Sequence, residues 1–226
     1  MTASVLDRAQ TVTDTTDAGP RAAGPRWLRR QLLLAGGAML LTFGRARAGA
    51  AEDASRFIDT IARQLTEVLD SPESASDKRK RFLAILDGAV DVDGIARFCL
   101  GRFWRQASEA QQQEYITLFH QALTNGVISR LGEYKGVRHT IGRSVPQNDS
   151  TLVQTLILRP NSEPAHVDWL VHQVAGRPEI EDLIVEGTSM RITQRSDYMS
   201  FLQRNGSNIQ ALIDQLRQQV GHSRSS

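Results

Sequence analysis

The hydrophobic period of this chain changes once, near residue 133, and that change limits the available folds more than any other feature. Before it, apolar side chains recur at helical spacing. Phe57, Ile61, Leu65 and Val68 mark a helix over residues 54–69. Phe82, Ile85 and Leu86 mark a second, capped by Asp77 and reaching about residue 87. Asp93 is expected to cap a short third helix over 94–100. Ser108-x-x-Gln111 reads as a capping box opening a long helix, 109–131, with Tyr115, Phe119, Leu123, Val127 and Leu131 on one stripe. After the change, the alternation has period two. Residues 137–144, 152–159, 165–174 and 180–185 read as strands, with 189–193 as an extension. The connections, Pro146-Gln147-Asn148-Asp149, Pro160-Asn161-Ser162-Glu163-Pro164 and Gly176-Arg177-Pro178, are too short for crossovers, so the strands form an antiparallel meander. Ser196 then opens a helix to residue 203. Asn205-Gly206 breaks it, and Ile209, Leu212, Ile213, Leu216 and Val220 define a last helix. The expected fold is α+β, with N-terminal and C-terminal helices on one face of a curved antiparallel sheet of four to five strands.

The ends of the chain differ in charge. The 226 residues carry 27 Lys and Arg against 25 Asp and Glu, with a sequence pI near 9.0, which taken alone suggests nucleic acid. Seven of the arginines and three of the aspartates lie in residues 1–50, leaving 20 basic and 22 acidic residues in 51–226. The basic character therefore belongs to the N-terminus, and no nucleic-acid partner is expected. Residues 2–25 lack apolar periodicity. Arg29-Arg30-Gln31-Leu32-Leu33 then precedes a short apolar run and the small-residue sites Ala46-Arg47-Ala48 and Ala48-Gly49-Ala50. Cationic stretch, short apolar core and small-residue site make an export signal, of twin-arginine type, too short to span a bilayer. Residues 1–50 are thus expected to be a leader and 51–226 a single domain in the periplasm.

Motifs for chemistry are few. The five histidines form no H-E-x-x-H pair, and no G-x-S-x-G, P-loop or G-x-G-x-x-G occurs. His166, Asp168 and His172 share one strand face, read as a polar outer surface. The single cysteine, Cys99, lies among Phe98, Leu100 and Phe103 and reads as a buried inert thiol. Lys78-Arg79-Lys80-Arg81 has acidic neighbours, Glu73 and Asp77, and reads as a solvated helix start. No metal site and no cofactor are expected. Apolar residues dominate instead, including Leu156, Leu158, Trp169, Val171, Met190 and Ile192 on candidate inward strand faces. Each methylene exposed to water costs about 0.8 kcal/mol, so a lipid crossing an aqueous compartment needs a carrier that hides its tails.

Two segments carry a family resemblance. Val92-Asp93-Gly94-Ile95-Ala96-Arg97-Phe98-Cys99-Leu100-Gly101-Arg102-Phe103-Trp104-Arg105, followed by Ser108-x-x-Gln111-x-x-Glu114-Tyr115-x-x-x-Phe119, resembles the early motif of the MlaC/toluene-tolerance family. Asp182-x-x-Val185-Glu186-Gly187-Thr188-Ser189-Met190-Arg191-Ile192-Thr193-Gln194-Arg195 resembles its late motif, and this version is most similar to the hopanoid-associated, HpnM-type branch. Gln112, Pro178-Glu179 and Gln194 depart from the pattern at positions bearing on headgroup contacts. The resemblance implies a periplasmic lipid-binding protein, not an enzyme, that shuttles a hopanoid, sterol-like lipid or phospholipid. The implied partners are an inner-membrane transporter, of RND type in the hopanoid branch, and an outer-membrane acceptor. It implies a cavity lined or closed by Phe98, Phe103, Trp104, Tyr115, Phe119, Leu123, Val127, Leu131, Leu156, Trp169, Val171, Ile184, Met190 and Ile192, with Arg195 and Tyr198 at its rim. Two other readings stay open. One is a cone-shaped α+β enzyme with Asp168 or Asp182 as base, and the other is an envelope adaptor in which the apolar stripes are plain core.

Overall fold

The protein is described by a computed structural model covering residues 28–128, 134–160 and 162–223, with the side chains of residues 28–48, Val127 and Ser223 outside the description. Leu131 and much of the expected leader therefore lie outside the described residues. The chain divides into two compact units, Met1–Phe43 and Gly44–Ser226. The described part of the first is helical backbone, and every described side chain belongs to the second.

Among the described residues, six helices and five strands occur in the order α1 (Leu28–Asp70), α2 (Ala75–Ala89), α3 (Val92–Leu100), a 3-10 turn (Gly101–Arg105), α4 (Glu109–Ile128), β1 (Arg138–Gln147), β2 (Ser150–Leu158), β3 (Ala165–Val174), β4 (Arg177–Val185), β5 (Thr188–Ser189), α5 (Met190–Arg204) and α6 (Ile209–Ser223). The strands form one open antiparallel sheet in chain order, so the α+β meander read from the periodicity is the fold observed. Three of its connections are two residues long, and each opens with a residue at positive φ: Asn148 (54°), Ala175 (49°) and Glu186 (47°). That handedness matches the right-handed twist of the flanking strands. Pro146 is tolerated because β1 is an edge strand, where a missing N–H costs no ladder bond.

Three cap expectations are corrected. Ser74, not Asp77, caps α2 by accepting from the Asp77 backbone N–H. Asp91, not Asp93, caps α3 through the Gly94 N–H at 2.8 Å. Ser189, not Ser196, caps α5. The last of these also corrects the strand expected over 189–193. The chain pairs for two residues at Thr188 and Ser189 and then coils, so Met190 and Ile192 stand on the first turn of a helix rather than on a strand. The Ser108–Gln111 capping box forms as read.

Burial divides into two clusters. In the first, α1 lies across one face of the sheet, packing Ala54 and Ile58 on Val153, Val171 and Ile180, with Phe57, Ile61, Ile141 and Trp169 at the margin. His139 of β1 bonds Asp59 of α1 at 3.0 Å, and the Ser55 and Ser144 hydroxyls meet, so polar contacts fix the same crossing. In the second, α3, the 3-10 turn, α4, α5 and α6 bury Ala96, Leu100, Phe103, Tyr115, Leu202, Leu212 and Leu216 against one another. This helical layer meets the sheet at β4. Val90 forms a parallel bridge with Ile180, and the Asp91 N–H donates to the Ile180 carbonyl at 3.0 Å.

Candidate functional site

The two sides of the sheet follow from its register. Val153 faces Trp169, and both lie under α1. Their neighbours Leu152 and Leu170 pair with each other and point the opposite way, as do Val145 opposite Leu152, Leu156 opposite His166, and Ile184 opposite Asp168. This second face is mixed, with a row of apolar side chains beside the polar Gln154, His166 and Asp168, and is only partly covered. Leu170 is buried, Leu152, Leu156 and Ile184 are half-buried, and Val145 and Leu158 are 47% and 39% exposed. The start of α5 is docked beside it, where Met190 (39%) and Ile192 (58%) are exposed. These four are the large apolar side chains exposed among the described residues. Single exposed apolar residues are ordinary, whereas a shared patch marks a surface that meets something.

Asp182 anchors α5 there. It is 4% exposed and lies on this second face, opposite Leu170. Its carboxylate accepts from the Ser189 hydroxyl at 2.5 Å, the Leu183 N–H at 2.8 Å and the Arg191 N–H at 3.1 Å. The Arg191 guanidinium lies 3.6 Å from the same carboxylate and donates to Glu181 at 2.5 Å. Burial would push the Glu181 carboxyl up, but hydrogen bonds from Ser150 and Arg191 and the nearby positive charge prevail, leaving it below its ordinary range. His172 stands 3.1 Å from Asp91, close enough to pair but not aligned as a hydrogen bond, and 4.0 Å from Glu181. Around these groups opens a polar cavity of about 560 Å³. Its walls are the turn Gln147–Ser150, Leu170, His172, Gln173, Glu181 and Arg191. Leu170, pairing with Leu152, joins the cavity to the mixed face. Among the described residues, no group of three or more His, Cys, Asp or Glu is placed to hold a metal ion, and no helix is long and apolar enough to cross a membrane.

The expected lining residues separate into four groups. Phe103, Tyr115 and Phe119 fill the middle of the helical cluster, with Phe98, Trp104 and Leu123 packed on it. Tyr198 belongs there too. Expected at a rim, it is 9% exposed, its ring 6.3 Å from Tyr115 and 6.2 Å from Phe119. Burial drives the Tyr115 and Tyr198 hydroxyls far up in pKa, and Tyr115 donates to the Ala96 carbonyl at 2.9 Å. Trp169 and Val171 lie under α1. Leu156, Ile184, Met190 and Ile192 belong to the partly open face. Val127 and Leu131 contribute no described side chain. Arg195, expected at the rim, is half-buried and clamps α5 to α3. It donates to the Phe98 carbonyl at 2.6 Å, stacks over that ring at 4.8 Å, and passes Gly101 so closely that a Cβ there would sit 2.8 Å from its guanidinium.

Sequence reasoning missed the grouping of Arg191, Glu181, His172 and Asp91. A signal existed, since His172 and Asp182 were each notable on their strands. The register that joins them to Asp91, far upstream in the chain, had none.

An open antiparallel meander with one helix across one face and a helical layer at β4 defines a class of α+β proteins. The chain belongs to the MlaC family, whose model matches residues 59–218. It is similar in fold to a phospholipid-binding protein from Ralstonia solanacearum, solved with a phospholipid at 1.53 Å resolution. The TM-score is 0.67 at 16% identity, covering 76% of this chain and 98% of that one.

Proposed function

We propose that this protein is a periplasmic lipid carrier. Family membership sets the class, and one observation carries the site: the half-open sheet face bearing Leu152, Leu156 and Ile184 adjoins, through Leu170, a polar cavity. The apolar body of the lipid lies along Leu152, Leu156, Leu158, Ile184, Met190 and Ile192, and its polar end enters the cavity beside Arg191. The solved relative holds a phospholipid, and the same arrangement suits a rigid polycycle of the hopanoid kind. Affinity comes from removing apolar surface from water, at about 25 cal/mol per Å². An inner-membrane transporter, of RND type, loads or receives the lipid, and an outer-membrane acceptor stands at the other end. Of the two candidate bases, Asp182 is engaged in holding α5 and Asp168 is only half-buried, which favours carriage over turnover. Protein purified from its native host is expected to yield about one co-purified lipid per chain by native mass spectrometry. Ligand-free protein that takes up nothing from liposomes would overturn the reading.

A further inference from the structure

Resting on the carrier reading, we infer that Asp168 selects a phospholipid whose head ends in an ammonium group, taking that group while the phosphate lies in the cavity beside Arg191. The sheet register carries the inference. His166, Asp168, Leu170 and His172 follow one another along the second face of β3, and Leu170 and His172 wall the cavity. Asp168 is half-buried between Gln154 of β2 and Ile184 of β4. The other shielded carboxylates of this region are engaged. Glu181 accepts from Ser150 and Arg191, Asp182 holds α5, and Asp91 caps α3. Asp149 stands on an exposed turn. Asp168 makes no hydrogen bond or ion pair among the described residues. A lipid lying along Leu156 and Ile184 covers it, and a covered carboxylate without a donor is strongly unfavourable. The ligand must therefore bring a donor, and an ammonium does so with a charge that a hydroxyl lacks. Arg191 supplies the complementary end. It lines the cavity, and its Nε is a buried donor without a hydrogen-bond partner. The amides of Gln147, Asn148 and Gln173 stand around the same space. Asp168 and Leu170, two residues apart, are separated by about 7 Å of strand. An ethanolamine head joins phosphate to ammonium through two carbons, which places one group in the cavity and the other on Asp168.

The test holds the tails constant and lets two heads compete. Full-length protein is incubated with vesicles of equal parts phosphatidylethanolamine and phosphatidylglycerol bearing the same acyl chains, and the lipids carried off by the protein are counted by mass spectrometry. Phosphatidylethanolamine is expected to exceed phosphatidylglycerol about fivefold, the scale of one charge-assisted contact in a half-buried site. Asp168→Asn should bring the two close to parity by lowering the first and raising the second, and Asp168→Glu should keep the preference. A parent protein that takes both equally, or prefers phosphatidylglycerol, overturns the headgroup inference and leaves the carrier reading standing. So does an unchanged ratio in Asp168→Asn. Uptake of neither lipid overturns this inference, and the carrier reading with it if protein from its native host is also free of lipid. Free phosphoethanolamine at millimolar concentration should not displace bound lipid. If it does, the two groups form a site for a soluble zwitterion and the headgroup assignment falls.

Discussion

Cys99 and Asp182 show how differently two buried polar groups behave. The Cys99 thiol is pushed up to about 12 by burial, which outweighs the attraction of Arg195 and Arg191, and its sulfur lies 3.6 Å from the Arg191 carbonyl. It should resist Ellman's reagent at pH 8 in native buffer and react fully in urea. Rapid native labelling would show that the α3–α5 contact opens. Asp182 is the reverse case, a buried charge given a donor on every side. Asp182→Ala leaves the Ser189 hydroxyl and the Leu183 and Arg191 N–H groups without their acceptor and frees the α5 cap, at an expected cost of about 2–4 kcal/mol by urea unfolding. Its neighbour Glu181 gives a pH signature. Its carboxyl lies lower in the folded than in the unfolded chain. Its stabilisation is therefore full above the ordinary carboxylate range of about pH 4.3 and is lost as pH falls through the folded value. Between pH 5 and 3 the urea midpoint should drop less in Glu181→Gln than in the parent protein, and parallel curves would exclude this role.

Among the elements, the decisive separation is between helices that only support one another and the sheet face left partly open. Phe119 sits in the helical cluster, so Phe119→Ala should cost about 3–5 kcal/mol of stability while leaving lipid uptake by the folded protein near parental. Leu156→Glu, on the half-open face, should have the opposite profile: little change in Tm and a loss of roughly tenfold or more in lipid transfer, since a charge would be buried beneath the lipid. The same separation explains how much the sequence reveals. Tyr115, Phe119 and Leu123 recur at helical spacing and are helical. Leu152 to Leu158 and Ala165 to Val174 alternate and pair as expected. Spacing does not say what a stripe packs against, so Tyr115 and Tyr198 read equally well as cavity wall or as core. The failure at 189–193 has a local cause. Met190, Arg191 and Ile192 alternate like a strand, but Ser189 bonds both Asp182 and the Ile192 N–H and turns the chain into a helix. That cap depends on a partner seven residues upstream across a tight turn, which periodicity does not register.

For the molecule as a whole, the two apolar clusters set the cooperative units. Val90, at the junction of α2 and α3, packs against both. Hydrogen exchange of the native protein should therefore resolve two protection classes, one for β2, β3 and the part of α1 over them, the other for α3 to α6. Bound lipid should slow exchange most in β2, β4 and the first turn of α5. Uniform slowing across α4 and α6 would argue for a ligand inside the helical layer instead. The charge balance of residues 51–226, 20 basic against 22 acidic, gives no long-range pull toward polyanions, so weakening of lipid transfer by moderate salt should be slight.

The short list of contacts joining the sheet to the helical layer has a practical side. Because the sheet with α1 and the helical layer each complete their own interior, they are candidates for exchange as cassettes. A chimera joining residues 44–89 and 134–189 of this protein to the helical layer of another family member needs matched side chains around Val90, Asp91 and Ile180 and at the anchor of Arg191 on Glu181 and Asp182. Such hybrids would show directly which half carries ligand choice and which carries recognition by the transport machinery.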